Sequence, residues 1–491
     1  MTITVNLRKM LHRKAPEYCT PSPAGNTVAG GFIVADKDSL LPENDGIAYV
    51  GGASAAWNYN ADEDAWIQAP NSGIAGTFGA GACGALRAHF APGGATSSTA
   101  SAGTTTTLTT TLTFTRDLTG CGLRVVSGTG IGYQGYITKN TMGANSVVTV
   151  SPAAGAAFDA TTVFQVMSGS LWFFCPGAGA VGFSVYDRAT NTWTSRSVTG
   201  LPTTFGTDGF LLGTSGVASN LGGGFVNGTA TAGGASTLTD GAKTWPVNGW
   251  ANSQVRIISG TGLGQIRTIA SNTATVLTTS AAWTTVPDAT SVYRIEGNDD
   301  YLYLMGNAAV AMYRYSVSGN SWTTLAPGAA RAGAPGAGFS ASWVDGVTNT
   351  AWTDGTYGAH YTTTLIRQNG RYIYSLRGGG SNVMDVYDIA ANTWISGIAY
   401  GGQMETFTTG SSNVDVGGMI YIQKDATGRI YRFDVAKNAI YPFAVNPVPQ
   451  GAALVGQKMF ITSVYDGSTL AIRYLYTLGN TRSELTRWAI I

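Results

Sequence analysis

The chain has 491 residues and a formal net charge of +1, with no overall excess of either sign to mark it for nucleic acid. Charged residues are only 11% and glycines number 67, a turn-rich composition with a weakly charged surface that fits burial in an assembly better than life as a free monomer. No run of about 18 apolar residues is present, which excludes a membrane-spanning helix.

Residues 1–29 are expected to form an N-terminal arm. It carries the one basic run, Arg8, Lys9, His12, Arg13 and Lys14, read either as a solvated tail or as a contact with a partner chain. Its apolar stretch is too short for a signal peptide. Pro16, Pro21 and Pro23 disfavour a regular element after Ala15. From there short strands begin, bounded by Gly, Asn and Asp: Gly30–Ala35, Ile47–Gly52, Ala55–Asn60 and Ala65–Ile67. Four such strands in about 40 residues make one antiparallel sheet.

This unit repeats. An apolar-aromatic strand ending in small residues recurs at Ile47–Gly52, Leu171–Cys175, Tyr301–Gly306, Tyr372–Gly379, Met419–Gln423 and Met459–Thr462. Each should be the second strand of its unit. Behind it comes a Tyr followed seven residues later by a Trp: Tyr59 and Trp66, Tyr186 and Trp193, Tyr315 and Trp322, Tyr387 and Trp394, with Phe433 and Ile440 as a degenerate copy. Repeats at this period mean stacked sheets, since one four-stranded sheet cannot cover both its faces. The large rings would fill the wedge between neighbours.

The apolar strand, Gly-Gly, Tyr-Asp and Asn-Thr-Trp resemble the kelch pattern, at Tyr49, Gly51, Gly52, Tyr59 and Trp66, at Tyr186, Asp187, Asn191 and Trp193, and at Tyr374, Gly379, Gly380, Tyr387, Asp388, Asn392 and Trp394. The resemblance implies an all-β fold, a six-bladed kelch-like β-propeller. Gly30–Ala35 and Leu485–Ile491 leave each blade complete in sequence, so a closing blade shared between the two ends of the chain is not expected.

Two insertions match each other. Leu123–Gly132 (LRVVSGTGIG) parallels Val255–Gly264 (VRIISGTGLG), and Phe158–Phe164 parallels Pro287–Tyr293. They divide the chain into the arm at 1–29, blade 1 and the start of blade 2 at 30–93, a first inserted β-domain at 94–169, the rest of blade 2 and start of blade 3 at 170–225, a second inserted β-domain at 226–297, and the remaining blades at 298–491. Both interrupt a blade just before its second strand and should stand on one face. A third expansion, Pro327 to Gly358, is expected before the first strand of blade 4 and hence on the opposite face.

Chemistry is sparse. The Ser-Gly-Thr-Gly runs are followed by strand-forming residues, not the helix that a phosphate-binding loop needs. The three histidines, His12, His89 and His360, are far apart in sequence, so no metal or cofactor is expected, nor a copper-radical oxidase of this blade type. Cys19, Cys83, Cys121 and Cys175 lack metal or disulfide spacing and read as free thiols. A sialidase would repeat a Ser-x-Asp-x-Gly-x-Thr-Trp turn, and only Trp352–Thr356 approaches it. Asp299, Asp300, Asp345 and Asp354 could supply a glycosidase carboxylate pair, but turn-making is their commoner role.

The insert pattern also resembles small β modules of tailed-phage virion proteins. It implies a non-enzymatic structural component of a virion, at the tail, nozzle or head-tail collar, made in the host cytoplasm and contacting other virion proteins and copies of itself. The candidate interaction residues are Arg8, Lys9, Arg13 and Lys14 in the arm, with Trp343, Trp352 and Tyr357 in the third expansion. The alternatives are a glycan-binding host-recognition protein, whose aromatic side chains would stack on sugars, a carbohydrate-active enzyme, and a cytosolic interaction module.

Overall fold

The structure is a computed structural model that describes the strands and most adjoining turns between Pro16 and Ile490. Residues 1–15, 24–32, 36–46, 88–95, 115–121, 203–209, 214–225, 306–311, 329–335, 341–371, 446–458, 465–471 and 479–483 lie outside the described residues, with shorter stretches at strand ends. Among the described residues there is no helix; the fold is all-β.

Six sheets follow one another along the chain, antiparallel except for one short parallel edge pair in the fifth. The first pairs Ile33–Ala35, Ile47–Gly52, Ala55–Asn60 and Ala65–Gln68 in order. The second pairs Cys83–Arg87, Ser170–Pro176, Val181–Asp187 and Thr192–Ser195. The third pairs Phe210–Gly213, Tyr301–Met305, Met312–Ser316 and Ser321–Leu325, and the fourth Gly336–Ser340, Tyr372–Arg377, Val383–Asp388 and Thr393–Ala399. The fifth runs Ser412–Val416, Met419–Gln423, Arg429–Asp434 and Ala439–Val445, with Gly401–Gly402 added at its edge. The sixth pairs Met459–Val464, Ile472–Leu478, Leu485–Ile490 and Glu17–Cys19.

The seven-residue spacing has a direct geometric meaning. In each hairpin the Tyr and Trp stand opposite one another: Tyr59 faces Trp66, Tyr186 faces Trp193, Tyr315 faces Trp322 and Tyr387 faces Trp394. Their ring centroids lie 4.8 to 5.3 Å apart. The turn between them is held by the tyrosine. Tyr59 Oη donates to Asp64 Oδ1, Tyr315 Oη to Asn320 Oδ1 and Tyr387 Oη to Asn392 Oδ1, each at 2.6 Å. Those three turn residues have φ of +50°, +45° and +49°, a region that Asn and Asp tolerate better than other side chains.

These pairs fill the space between sheets. Tyr186 and Trp193 of the second sheet pack with Ala56 and Ala69 of the first. Tyr315 and Trp322 pack on Trp172 and Phe183, and Tyr387 and Trp394 on Phe210 and Tyr303. Phe433 and Ile440 meet Tyr372 and Tyr374 of the fourth sheet, and Leu475 and Trp488 of the sixth meet Tyr421 and Ile430 of the fifth. Tyr59 of the first sheet packs on Phe460 and Tyr476 of the sixth, which returns the sequence of contacts to its start. The first strands of the six sheets neighbour one another in the same cyclic order.

Four expectations are corrected. A short element does follow Ala15: Glu17–Cys19 pairs with Leu485–Ile490 as the outer strand of the sixth sheet. The two ends of the chain therefore share that sheet. With this strand supplied from outside, Met459–Val464 is the first strand of its sheet, not the second. The junction so formed is built like the others. Trp66 Nε1 donates to Thr20 O at 3.0 Å, just as Trp193 Nε1 donates to Pro70 O and Trp322 Nε1 to Ser197 O. Lastly, Gly336–Ser340 is the first strand of the fourth sheet, so residues 341–371 come after it, not before. In sequence they fall between the first and second strands, as both insertions do; residues 341–371 themselves, and with them the expectation about their face, lie outside the described residues.

The insertions build separate cores. Thr96–Gly103, Thr107–Thr110, Gly122–Ser127, Gln134–Asn140, Val147–Ser151 and Val163–Met167 form a closed barrel. In the second insertion the equivalent of the first strand is split into Val226–Thr229 and Ala232–Gly234. The halves pair respectively with Val292–Glu296 and Thr237–Thr239, so the same wall is completed. Gln254–Ser259, Ile266–Asn272 and Val276–Thr279 supply the rest.

Candidate interaction surface

The Ser-Gly-Thr-Gly turns are the most closely matched parts of the two barrels. Gly128 and Gly260 have φ of +76° and +77°, and an added Cβ would lie 1.8 and 1.9 Å from the carbonyls of Thr161 and Thr290. Only glycine permits that approach. The following threonines finish the contact. Thr129 Oγ1 donates to Asp159 Oδ2 at 2.7 Å and Thr261 Oγ1 to Asp288 Oδ2 at 2.8 Å. The other carboxylate oxygen accepts the hydroxyl and the amide of Thr161 at 2.6 and 2.8 Å, and those of Thr290 at the same distances. Thr162 Oγ1 and Ser291 Oγ close the arrangement on the carbonyls of Thr129 and Thr261.

These hydroxyl and amide donors hold Asp159 and Asp288 below the ordinary carboxylate range, with Thr161 and Thr290 the main contributors. The turn is therefore a staple between two loops, using the groups that a phosphate site would have to present outward. The amide of Thr129 already donates to Thr161 Oγ1 at 3.1 Å and that of Thr261 to Thr290 Oγ1 at 3.2 Å.

The second barrel is tied to the ring of sheets. Asn252, at φ +66°, accepts from Arg314 Nη1 at 3.2 Å and donates to Ile389 O at 3.4 Å. Arg314 lies in the third sheet and Ile389 follows the third strand of the fourth. Asn298 Nδ2 donates to Asn252 O at 3.0 Å and to Thr268 Oγ1 at 3.1 Å.

The barrels also touch each other. Leu263, in the Ser-Gly-Thr-Gly turn of the second barrel, lies over Gly132 at the end of the same turn in the first. A Cβ on Gly132 would come within 2.4 Å of Leu263 Cδ2. Leu263, Gly132, Asn252 and Asn298 were not among the sequence candidates. The available signal was a large apolar residue, Ile131 or Leu263, conserved in type between the copies inside a Gly-rich turn where a polar residue would be ordinary.

Arg8, Lys9, Arg13, Lys14, Trp343, Trp352 and Tyr357 all lie outside the described residues, as do the three histidines, Asp299, Asp345, Asp354 and Cys121. Asp300 is described, and it serves a turn: it accepts Ser316 Oγ at 2.6 Å and the amide of Ser318 at 2.7 Å. Cys19, Cys83 and Cys175 are free and buried, and burial pushes the Cys19 thiol up to about 11 and the Cys175 thiol to about 12. No group of three or more His, Cys, Asp or Glu that could hold a metal ion occurs among the described residues.

One further carboxylate sits among partners. Glu405 accepts from Lys424 Nζ and, at 2.5 Å, from Tyr431 Oη, with Arg429 Nη1 4.0 Å away. Burial works to raise its pKa, but the bonds from Lys424 and Tyr431 outweigh it and hold the group lowered. Tyr400 Oη donates to its backbone carbonyl at 2.7 Å. A carboxylate held ionised with both oxygens engaged is suited to clamping the fourth-to-fifth connection, and poorly suited to delivering a proton.

No family model and no curated protein matches the chain. Among solved structures it is similar to a chain of the mitotic checkpoint complex, at 10% identity over 100% of this chain and 98% of that one, with a TM-score of 0.30. It is also similar to the endosialidase of phage phi92, at 10% identity over 94% of this chain and 70% of that one, with a TM-score of 0.27. The major allergen Mala s 1 of Malassezia sympodialis shares 11% identity over 65% of this chain and 89% of its own, also at a TM-score of 0.27.

Proposed function

We propose that the chain is a non-enzymatic structural protein of a tailed-phage virion. In this reading it is a six-bladed propeller, part of a symmetric assembly at the tail, nozzle or head-tail collar. The propeller reading rests on the cyclic order of the six sheets and their six inter-sheet clusters. The assembly reading rests mainly on one observation. Two copies of one barrel occupy the same connection of consecutive sheets and are seated on each other. A duplicated module with its own core, stapled at its turns and tied to the ring through Asn252, presents a rigid surface of hydroxyls and isolated apolar side chains.

Proteolysis and mass spectrometry of gradient-purified particles, made by the phage that encodes the chain, test the proposal. The chain is expected in the particles at a fixed ratio to the major tail or head proteins. Its absence from particles that remain infectious overturns the reading.

A further inference from the structure

The contact between the barrels is head to tail, and it leaves one half of itself unused at either end. Leu263 of the second barrel is the knob and Gly132 of the first is the seat. The counterparts of these residues are Ile131 and Gly264. A two-fold contact would seat Ile131 on Gly264 within the same interface. It does not: Ile131 is 48% exposed, and a Cβ built on Gly264 meets nothing within 4 Å. The chain therefore carries a free knob on the first barrel and a free seat on the second. Both are held by the same stapled turn that shapes the occupied pair, since Gly128, Thr129 and Asp159 support Ile131 as Gly260, Thr261 and Asp288 support Gly264.

We infer that a second copy of this chain docks there, its Ile131 seated on Gly264 of the first. The in-chain contact supplies the template: a branched aliphatic side chain over a glycine of φ near +84°, with Ile131 replacing Leu263. The seat must be glycine on two counts, the positive φ and the room for the incoming side chain. A heterologous contact of this kind continues from copy to copy, closing into a ring if its rotation closes. The inference goes beyond the virion reading and stands without it, because a chain that self-associated outside any particle would retain the docking.

Sedimentation of the purified full chain over a concentration series reads the self-association. Ile131→Asp, at an exposed turn position, is expected to weaken it about tenfold or more while leaving the melting temperature close to wild type. Gly264→Asn, which tolerates positive φ but fills the seat, is expected to do the same. A benzophenone amino acid at position 131, in a mixture of heavy-isotope and unlabelled chains, should cross-link to the 261–265 segment of the differently labelled copy. That photochemical result stands even if a substitution impairs folding. A chain that stays monomeric throughout the series overturns the inference. So does self-association indifferent to both substitutions, or cross-linking from 131 to 131 or only within one chain.

Discussion

Three residues in each barrel show how one backbone is kept with different chemistry. In the first, Phe164 is buried and paired across the strands with Ser98, whose Oγ accepts the buried Thr110 hydroxyl at 3.3 Å. At the matching positions the second has Tyr293, Asp240 and Gly228. Tyr293 Oη donates to Asp240 Oδ2 at 2.6 Å, and burial together with that carboxylate raises the tyrosine pKa. The bond needs space, and the glycine provides it: a Cβ on Gly228 would lie 2.4 Å from both Asp240 Oδ2 and Tyr293 Oη. Gly228→Ser is therefore expected to destabilise the second barrel by about 1–3 kcal/mol, through overpacking and the disturbed buried bond. Installing the first barrel's set, Gly228→Ser with Asp240→Thr and Tyr293→Phe, should recover most of that loss. Thermal melts of the full chain followed by near-ultraviolet circular dichroism check this, and a triple variant no more stable than the single one contradicts it.

The strand Glu17–Cys19 is the element on which closure depends. It is three residues long, among the described strands pairs only with Leu485–Ile490, and buries Cys19 in the cluster of Tyr59 and Tyr476. Arg487 on the neighbouring strand supplies the side-chain grip. Its Nε donates to Glu17 Oε2 at 2.8 Å, its Nη1 to Tyr476 Oη at 3.3 Å, and its guanidinium lies 4.4 Å from the centre of the Tyr474 ring. Arg487→Ala is expected to cost roughly 2 kcal/mol, more than an exposed ion pair, because the bond to Glu17 and the ring contact are lost together. In a double-mutant cycle with Glu17→Ala, the loss in the double variant should fall short of the sum of the two single losses, and strict additivity of the unfolding free energies would argue against the grip. This strand also marks where the sequence stops being legible. The Tyr and Trp pairs could be read because seven residues of spacing encode one hairpin, a local fact. Glu17–Cys19 has no such spacing; it lies between prolines and its partner, Arg487, is 470 residues away. Gly336–Ser340 was missed for another reason. Its sequence, GAGFS, lacks the β-branched residues that mark a strand, and its pairing with Tyr372–Arg377 decides its place.

For the molecule as a whole, the division of the cores matters more than the number of strands. Among the described residues, the barrel clusters built on Leu108 and Val125, and on Leu238 and Ile257, contain none from the six sheets. The six inter-sheet clusters in turn contain no barrel residue. Pairing of the inserts was legible because LRVVSGTGIG and VRIISGTGLG align directly, but the seating of Leu263 on Gly132 was not, since it joins turns about 130 residues apart in the chain. The polar ties that join the second barrel to the ring, from Asn252 to Arg314 and Ile389 and from Asn298 to Asn252 and Thr268, are single hydrogen bonds, each worth about 1 kcal/mol. Ring stability should therefore survive removal of both barrels. Replacing residues 94–169 and 226–297 by short Gly/Ser linkers, which restore the direct connection from first to second strand, is expected to give a folded all-β chain. Its Trp fluorescence should still report the buried Tyr and Trp pairs, and its melting temperature should stay within a few degrees of the parent's main transition. The same chain should lose self-association, because Ile131 and Gly264 leave with the barrels. An excised chain that unfolds would mean the barrels hold the ring together. One that folds and still self-associates would place the docking surface on the sheets themselves.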